Sequence, residues 1–548
     1  MSDRPGKAAA LGSGSDGRPP GRPEEGRPHG ARPVSRRTFL KAAMAGGVAV
    51  GAASLGYWYE TTIGAGPAPE SFAPAQSIPP SSSRFLSRPD IWSPLIAVAG
   101  NQQASGGQIF LTPASAPGPV IVGNDGSAVW IHNVPGKRAF NLRMGTYKGK
   151  PVLTWFEGQL NVGTGLGEYV LMDETYREVA RVRAGNGFAG DLHEFILTPE
   201  GTALFTIYAR RAATEPLPTA DGPIPPGESP ITLPTRTPGA TLGPSVGPGE
   251  LFESILQEVD VATGKVLLEW HSADFVNPDE SYVGASPGQP FDYFHINSID
   301  VDTDGNLLIS ARHTCAVYKI DRHTGQVIWR MGGKKSDFRI EPGAQFAWQH
   351  DARRQPDGTI TIFDDGSSGG GPPNEDHSRA LVLAVDESAR TVSLKQSYSR
   401  VTRILAKSQG SVQLLPNGNV FVGWGDQPYF TEFSADGGMV LDGQLPATST
   451  SYRALRYAWH GKPADRPVVS TRRQESGTNV YASWNGATDV VTWVALGGDT
   501  KDDLSAVGSQ TRTGFETGIF LSGQPRFVAV RAIAANGAIL GQSIPIGV

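Results

Sequence analysis

The sequence predicts an all-β chain, and three observations carry that prediction. Of 548 residues, 68 are Gly and 43 are Pro, a load that suits many turns and short strands rather than long helices. Apolar runs recur on either side of X-Gly pairs: Asp125-Gly126, Glu200-Gly201, Asp304-Gly305, Asp357-Gly358 and Asn417-Gly418, with a second set at Thr263-Gly264, Thr324-Gly325 and Asp436-Gly437. The flanks, such as "NLLISARH", "TITIFDDG" and "VYKIDRHTGQVIW", alternate as strands do, and Asp-Gly and Asn-Gly turns match the right-handed twist of paired strands.

Spacing then suggests the architecture. Gly305 and Gly358 are 53 residues apart, Gly358 and Gly418 60, and Gly264 and Gly325 61. Repeats of this length, holding about four short strands each, read as propeller blades. The runs group into six units, near 108–132, 150–182, 193–270, 295–330, 350–395 and 410–442, so a six-bladed β-propeller is expected over 84–455. The third unit is swollen by a Pro/Gly/Thr-rich insertion, 212–250, read as a disordered surface loop. After Tyr452 the pattern changes. "VVSTRR", "NVYASWNG", "VVTWVALGG" and "RFVAVRAIAANGAILGQS" predict about seven short strands and a small β-sandwich, immunoglobulin- or fibronectin III-like, over 456–548.

The N-terminus has another character. Residues 1–34 are rich in Gly, Pro, Arg and Ser and cannot bury enough apolar surface to fold. They lead into Ser35-Arg36-Arg37-Thr38-Phe39-Leu40-Lys41 and a mild apolar run from Ala42 to Leu55. Paired arginines before such a run form a twin-arginine export signal over 35–65. Such export carries folded proteins and implies an extracellular or cell-surface location, with the segment either cleaved or kept as the chain's one membrane anchor.

Composition excludes several functions. The formal net charge is −5, and nine of the bases lie in residues 1–41 against four acids, so the body is acidic and no nucleic-acid partner is expected. One cysteine, Cys315, excludes an intrachain disulfide and a Cys-based zinc site. No His-x-x-x-His, His-Glu-x-x-His or complete EF-hand loop is present; "DVDTDGN" lacks the twelfth-position Glu. There is no nucleophile elbow, P-loop or dinucleotide fingerprint in context. Neither a metal nor a cofactor is expected.

The histidines are the main chemical signal. His193 opens "DLHEFILTPEG", His295 sits in "DYFHINSID", His313 in "ISARHTCAVYKI" and His350 in "FAWQHDARRQPDG". His295 and His350 each stand just before a strand, at matching places in consecutive units. Matching places converge on one region of a propeller's central channel, where propellers bind small molecules. A lone histidine there is most simply a hydrogen-bonding residue for a neighbouring loop. Several, beside Asn297, Trp348, Gln349 and Arg353, read as a site.

Together "FLSRPDIWSPLIAV", "GKPVLTWFEG", "DLHEFILTPEGTAL", "DYFHINSIDVDTDGNLLISARH", "FAWQHDARRQPDGT" and "SQGSVQLLPNGNVFVGWG" resemble the arylsulfotransferase family, most closely its secreted actinobacterial and fungal branch. The resemblance implies a six-bladed propeller that moves a sulfuryl group from a phenolic sulfate to a phenol without a nucleotide donor, with aryl sulfate and phenol as its small-molecule partners. Carried over by position, His295 and His350 would contact the sulfuryl group. The family's arginine has no counterpart in "FDDGSSGGGPP", and Arg379 in "HSRA" is the nearest candidate. Asn297, Trp348, His193, His313 and Trp424 would bind substrate. The chain departs from the family at its nucleophilic histidine: "SRVTRILAKSQGSVQLL" holds only Lys407, Ser408 and Gln409 there. His295 or His350 would then act differently, His377 would supply the imidazole, or this branch transfers no sulfate. A non-catalytic cell-surface propeller binding a small anion, glycan or protein is therefore the alternative.

Overall fold

The computed structural model describes residues 82–100, 103–161, 163–213, 249–285, 288–366 and 375–548, all within one compact unit, Ala75–Val548. The basic tail, the twin-arginine segment and residues 214–248 of the insertion lie outside the described residues. What is described is nearly all β. Ser272–Phe275 is one helical turn and Pro278–Glu280 one 3-10 turn, and no described helix is long and apolar enough to cross a membrane. The turns form where the sequence places them. Gly126, Gly201, Gly264, Gly305, Gly325, Gly358, Gly418 and Gly437 all have φ between 72° and 93°, a left-handed conformation that strains any residue with a Cβ.

Six antiparallel sheets follow one another in the described residues. The first holds Arg138–Tyr147, Lys150–Asn161, Thr164–Asp173 and Glu178–Val182. The second holds Phe195–Leu197, Thr202–Ala212, Glu250–Asp260 and Val266–His271. The third runs from Ile296–Val301 to Val327–Gly332 and the fourth from His350–Arg354 to Thr391–Tyr398, with Arg339–Ile340 added in parallel. The fifth runs from Ser411–Leu414 to Met439–Gln444, extended by Ala97–Gly100. The sixth joins Ala454–Tyr457 to Gln108–Leu111, Val120–Val122 and Ala128–Ile131, with Ala454 opposite Leu111. The insertion interrupts a hairpin whose last pair is Ala212 with Glu250.

Arg138–Tyr147, which the sequence units omitted, opens the first sheet. Its alternation is broken by a register shift between Phe140 and Arg143, with Asn141 at φ 57°. Past Tyr457 the strands form two further sheets, Val468–Gln474 with Gly477–Ser483 and Glu516–Leu521, and a second built around Thr492–Thr500 and Phe527–Ile533. Their shared cluster includes Val480, Trp493, Ile519, Val528 and Val530.

The opening strands of the six sheets meet in a buried ionic knot. Glu194, just before Phe195–Leu197, is fully buried. It faces Arg143 of the first sheet at 3.0 Å, Arg353 of the fourth, and Arg453 at the head of the sixth at 3.2 Å. Arg353 and Arg453 also form ion pairs with Asp351, at 2.7 and 3.1 Å. The Val412 N–H of the fifth sheet donates to Asp351 at 3.0 Å, and Arg453 donates to the Asn297 carbonyl of the third at 3.0 Å. Each charge is thus paired and hydrogen-bonded, the condition under which ions are tolerated in a low-dielectric interior.

The arginines hold the Glu194 carboxyl down, against its burial, to about 2. Because the folded value lies below the unfolded one, its contribution is complete above the ordinary carboxylate range and is lost as pH falls toward 2. Glu194→Ala leaves three guanidinium groups facing an empty partner, and chemical denaturation should show a loss of about 3–5 kcal/mol at neutral pH.

Candidate functional site

Beside the knot, a ring of polar and aromatic side chains comes together. The Tyr452 and His193 rings are 5.5 Å apart, His193 and His295 4.9 Å, His295 and His313 4.6 Å, and His313 and Trp348 6.3 Å. The Arg312 guanidinium lies over Trp348 at 5.0 Å, and His350 returns to Tyr452 at 6.3 Å. Tyr208 backs His193 and His295 at 5.3 and 5.6 Å. Three of the positions arise because the residue sits at the head of a strand: His193 beside Glu194, His350 beside Asp351, Tyr452 beside Arg453. Adjacent residues there point into two layers, one into the ring and one into the knot.

Three of the histidines are oriented by a carboxylate. Nδ1 of His193 is 2.7 Å from Asp191, Nδ1 of His295 is 2.6 Å from Asp292, and Nδ1 of His350 is 2.6 Å from Asp365. His313 Nδ1 lies 2.5 Å from the Asp292 carbonyl. An acceptor at Nδ1 puts the proton there and leaves the lone pair on Nε2. For His350 this assignment is enforced from the other side, since the Gln409 N–H donates to its Nε2 at 3.1 Å. Both ring nitrogens of His350 are therefore taken.

Burial, aided by the charge on Arg312, pushes His295 and His350 well below the ordinary histidine range and His313 down to about 3. These three imidazoles are neutral at physiological pH. The cation of the site is Arg312, which pairs with no carboxylate among the described residues and gives one bond, Nη2 to the Lys407 carbonyl at 2.8 Å.

Several polar atoms of this ring and its carboxylates find no partner among the described residues: the Tyr452 hydroxyl, Trp348 Nε1, Arg312 Nε, and Oδ1 of Asp292 and Asp365. Buried polar groups are normally bonded, so a cluster of exceptions marks where a ligand or solvent must supply the partner. Backbone strain gathers in the same place. His295, Cys315, Trp348, Asp351 and Gln409 have φ of 57°, 48°, 60°, 56° and 71°, a conformation non-glycine residues adopt only when their surroundings impose it. Asp292, His295 and His313 also present three ligand atoms within 4.8 Å of one another, the one grouping of metal-ligating type among the described residues; the Nδ1 contacts to Asp292 mean a metal would have to displace protons there.

The structure thus brings together His193, His295, His313, Trp348 and His350. Asn297 lies next to the site but in the knot layer, its amide donating to the Gln349 carbonyl at 2.7 Å. Trp424 is a core residue, its Nε1 on Thr431 and its ring against Phe363. Arg379 is held by Asp364 and Glu375 at 2.7 and 2.6 Å, beside a separate cavity of about 290 Å³ lined by Tyr282, Phe338, Phe346, Ala347 and Glu375. His377 pairs with Asp376 outside the ring. Sequence reasoning missed Arg312 and Tyr452. Arg312 stood in plain view beside His313 in "ISARHTC"; Tyr452 had no comparable signal.

Residues 243–445, less than half of the chain, match the arylsulfotransferase (ASST) family, which supports that family for this protein. The matched stretch contains His295, Arg312, His313, Trp348 and His350 and ends before Tyr452. No curated protein matches the chain. Among solved structures, a protein of unknown function from Bacteroides caccae is 14% identical over 62% of this chain and 93% of its own, with a TM-score of 0.36. Virginiamycin B lyase from Staphylococcus aureus is 9% identical over 71% and 96%, at 0.32, and a Lactobacillus plantarum protein 12% identical over 76% and 99%, at 0.32. Likenesses at these scores carry no argument about activity.

The depressed His313 value has a measurable consequence. Between pH about 3 and 6.5 the unfolded chain binds a proton at this residue that the folded protein does not, so stability rises with pH across that window. His313→Gln should flatten the rise, as read from denaturation midpoints at pH 4, 5, 6 and 7.

Proposed function

We propose that the protein is an exported arylsulfotransferase that moves a sulfuryl group from a phenolic sulfate ester to a phenolic acceptor without a nucleotide donor. In this reading the six sheets are the blades of a propeller over 84–455, the last two sheets are an immunoglobulin- or fibronectin III-like sandwich over 456–548, and residues 35–65 direct twin-arginine export to the cell surface or beyond. The observation that carries the reading is a neutral His295 imidazole, anchored through Nδ1, in one ring with the Arg312 guanidinium, which pairs with no carboxylate among the described residues, both within the stretch that matches the family.

Sulfuryl transfer, like phosphoryl transfer, passes through a loose state whose charge spreads over the equatorial oxygens, so a preorganised cation in a dry pocket lowers the barrier. Arg312 has that place. His295 is the nucleophile that the stretch 407–409 does not supply. Its Nε2 lone pair attacks sulfur while the bond from sulfur to the donor's aryl oxygen breaks and the phenolate leaves with the electron pair. Asp292 steadies the charge that the imidazole gains. The acceptor phenol then attacks sulfur, its proton passing to Nε2 of His193, and the N–S bond breaks. His350, with both nitrogens engaged, positions the Gln409 loop. Arg379 shapes the neighbouring aromatic cavity, whose Tyr282, Phe338 and Phe346 would receive an aryl ring.

Purified protein lacking residues 1–65 should release 4-nitrophenol from 4-nitrophenyl sulfate faster when phenol is added. His295→Ala and Arg312→Met should each lower that rate by about 100-fold or more. Release independent of phenol would indicate a hydrolase, and no release across several aryl sulfates would replace the enzyme reading with that of a binding module.

A further inference from the structure

We propose that Tyr452 is a catalytic contact of this site: its hydroxyl donates a hydrogen bond to an oxygen of the bound sulfate monoester, across the ring from Arg312 and Trp348. The inference rests on reading the ring as the sulfuryl site, but not on the family match, which ends at residue 445. It starts from an unanswered donor. Tyr452 is 3% exposed, lies between His193 and His350, and its hydroxyl has no hydrogen-bond partner among the described residues.

Everything else about the side chain is fixed. The Tyr452 carbonyl accepts from the Gly410 N–H at 3.0 Å, and the Arg453 guanidinium, locked onto Glu194 and Asp351, sits over its ring at 5.3 Å. The ring is clamped by the knot beneath it and by imidazoles on two sides, which leaves the hydroxyl as its one free polar atom. Burial, reinforced by the negative charge of Asp191, Glu194 and Asp351, raises the phenol well above its ordinary value. The group therefore stays O–H and acts as a donor at every working pH. Trp348 Nε1 and Arg312 Nε, also without protein partners, are donors as well. A sulfate ester offers acceptor oxygens to these three donors, while the two unpartnered carboxylate oxygens nearby, on Asp292 and Asp365, belong to groups that burial pushes up toward the neutral acid. No proton transfer is assigned to Tyr452; its hydrogen bond strengthens as charge accumulates on the sulfuryl oxygens.

The test compares the full chain with Tyr452→Phe and Trp348→Phe by calorimetric binding of inorganic sulfate and of 4-nitrophenyl sulfate between pH 6 and 9, alongside thermal unfolding without ligand. Tyr452→Phe is expected to weaken both ligands about ten- to a hundredfold, by the same factor at each pH, the loss associated with one hydrogen bond to a charged group. Its unfolding midpoint should be unchanged or raised, since no protein hydrogen bond is removed. Trp348→Phe should also weaken both ligands. Undiminished affinity in Tyr452→Phe, a loss that varies with pH, or a midpoint lowered by several degrees would each overturn the assignment. Binding of aryl sulfate by the wild type without any transfer would sink the enzyme reading and leave only the hydrogen bond from Tyr452 to the bound sulfate ester standing, whereas a wild type that binds neither probe would end both.

Discussion

A single buried carboxylate, Glu194, faces arginines from three different sheets, and the nearby Asp351 pairs with two of the same arginines and binds the backbone of the fifth sheet. Stripping such ions of water costs several kcal/mol each, and only close, multiply bonded partners offset it. The pairing therefore works only when the opening strands stand in one register relative to each other. Hydrophobic burial between neighbouring sheets is more tolerant, because it scales with area and not with direction. The knot converts a set of separately hydrogen-bonded sheets into one centre with fixed geometry.

The site depends on that geometry. His193, His350 and Tyr452 each precede a knot residue by one position, so whatever fixes Glu194, Asp351 and Arg453 also aims their neighbours into the ring. Left-handed backbone at His295, Trp348, Asp351 and Gln409 belongs to the same arrangement: strand heads are bent so that successive side chains serve two layers. Strain of that kind persists only where the surroundings over-determine it, and the surroundings here are paired ions. Burial then makes the chemistry. Taken out of water next to Arg312, the imidazoles of His295, His313 and His350 lose their protons, and Asp292 and Asp365 hold those of His295 and His350 in one tautomer.

The segment from Lys407 to Gln409 shows how a missing side chain can be read. The sequence resembles a family whose nucleophilic histidine falls in this stretch, and none is present. In the structure the Gln409 amide occupies Nε2 of His350, so the loss comes with a fixed neighbour, and the free imidazole nitrogens are those of His193, His295 and His313. Arg379 and Trp424 teach the opposite lesson. Arg379 was the nearest arginine along the chain and Trp424 an aromatic residue expected to bind substrate, but Arg379 is held by Asp364 and Glu375 and Trp424 by the core between the fourth and fifth sheets.

What the sequence determined by itself was local and periodic. X-Gly pairs require left-handed turns, alternation requires strands, and a histidine at the same place in successive repeats requires convergence if the repeats pack alike, so the β class, the turn positions and the convergence of His295 and His350 on one region were legible. Only the tertiary structure decided which polar neighbours meet. Arg312 joins the site because the third sheet's hairpin turns it over Trp348, and Tyr452 joins because Ala454–Tyr457 crosses back to pair with Gln108–Leu111, more than three hundred positions away. Hydrogen bonds and ion pairs act over a few ångströms in space and carry no trace of that proximity in chain order, whereas hydrophobic periodicity repeats within each element and can be read from it directly.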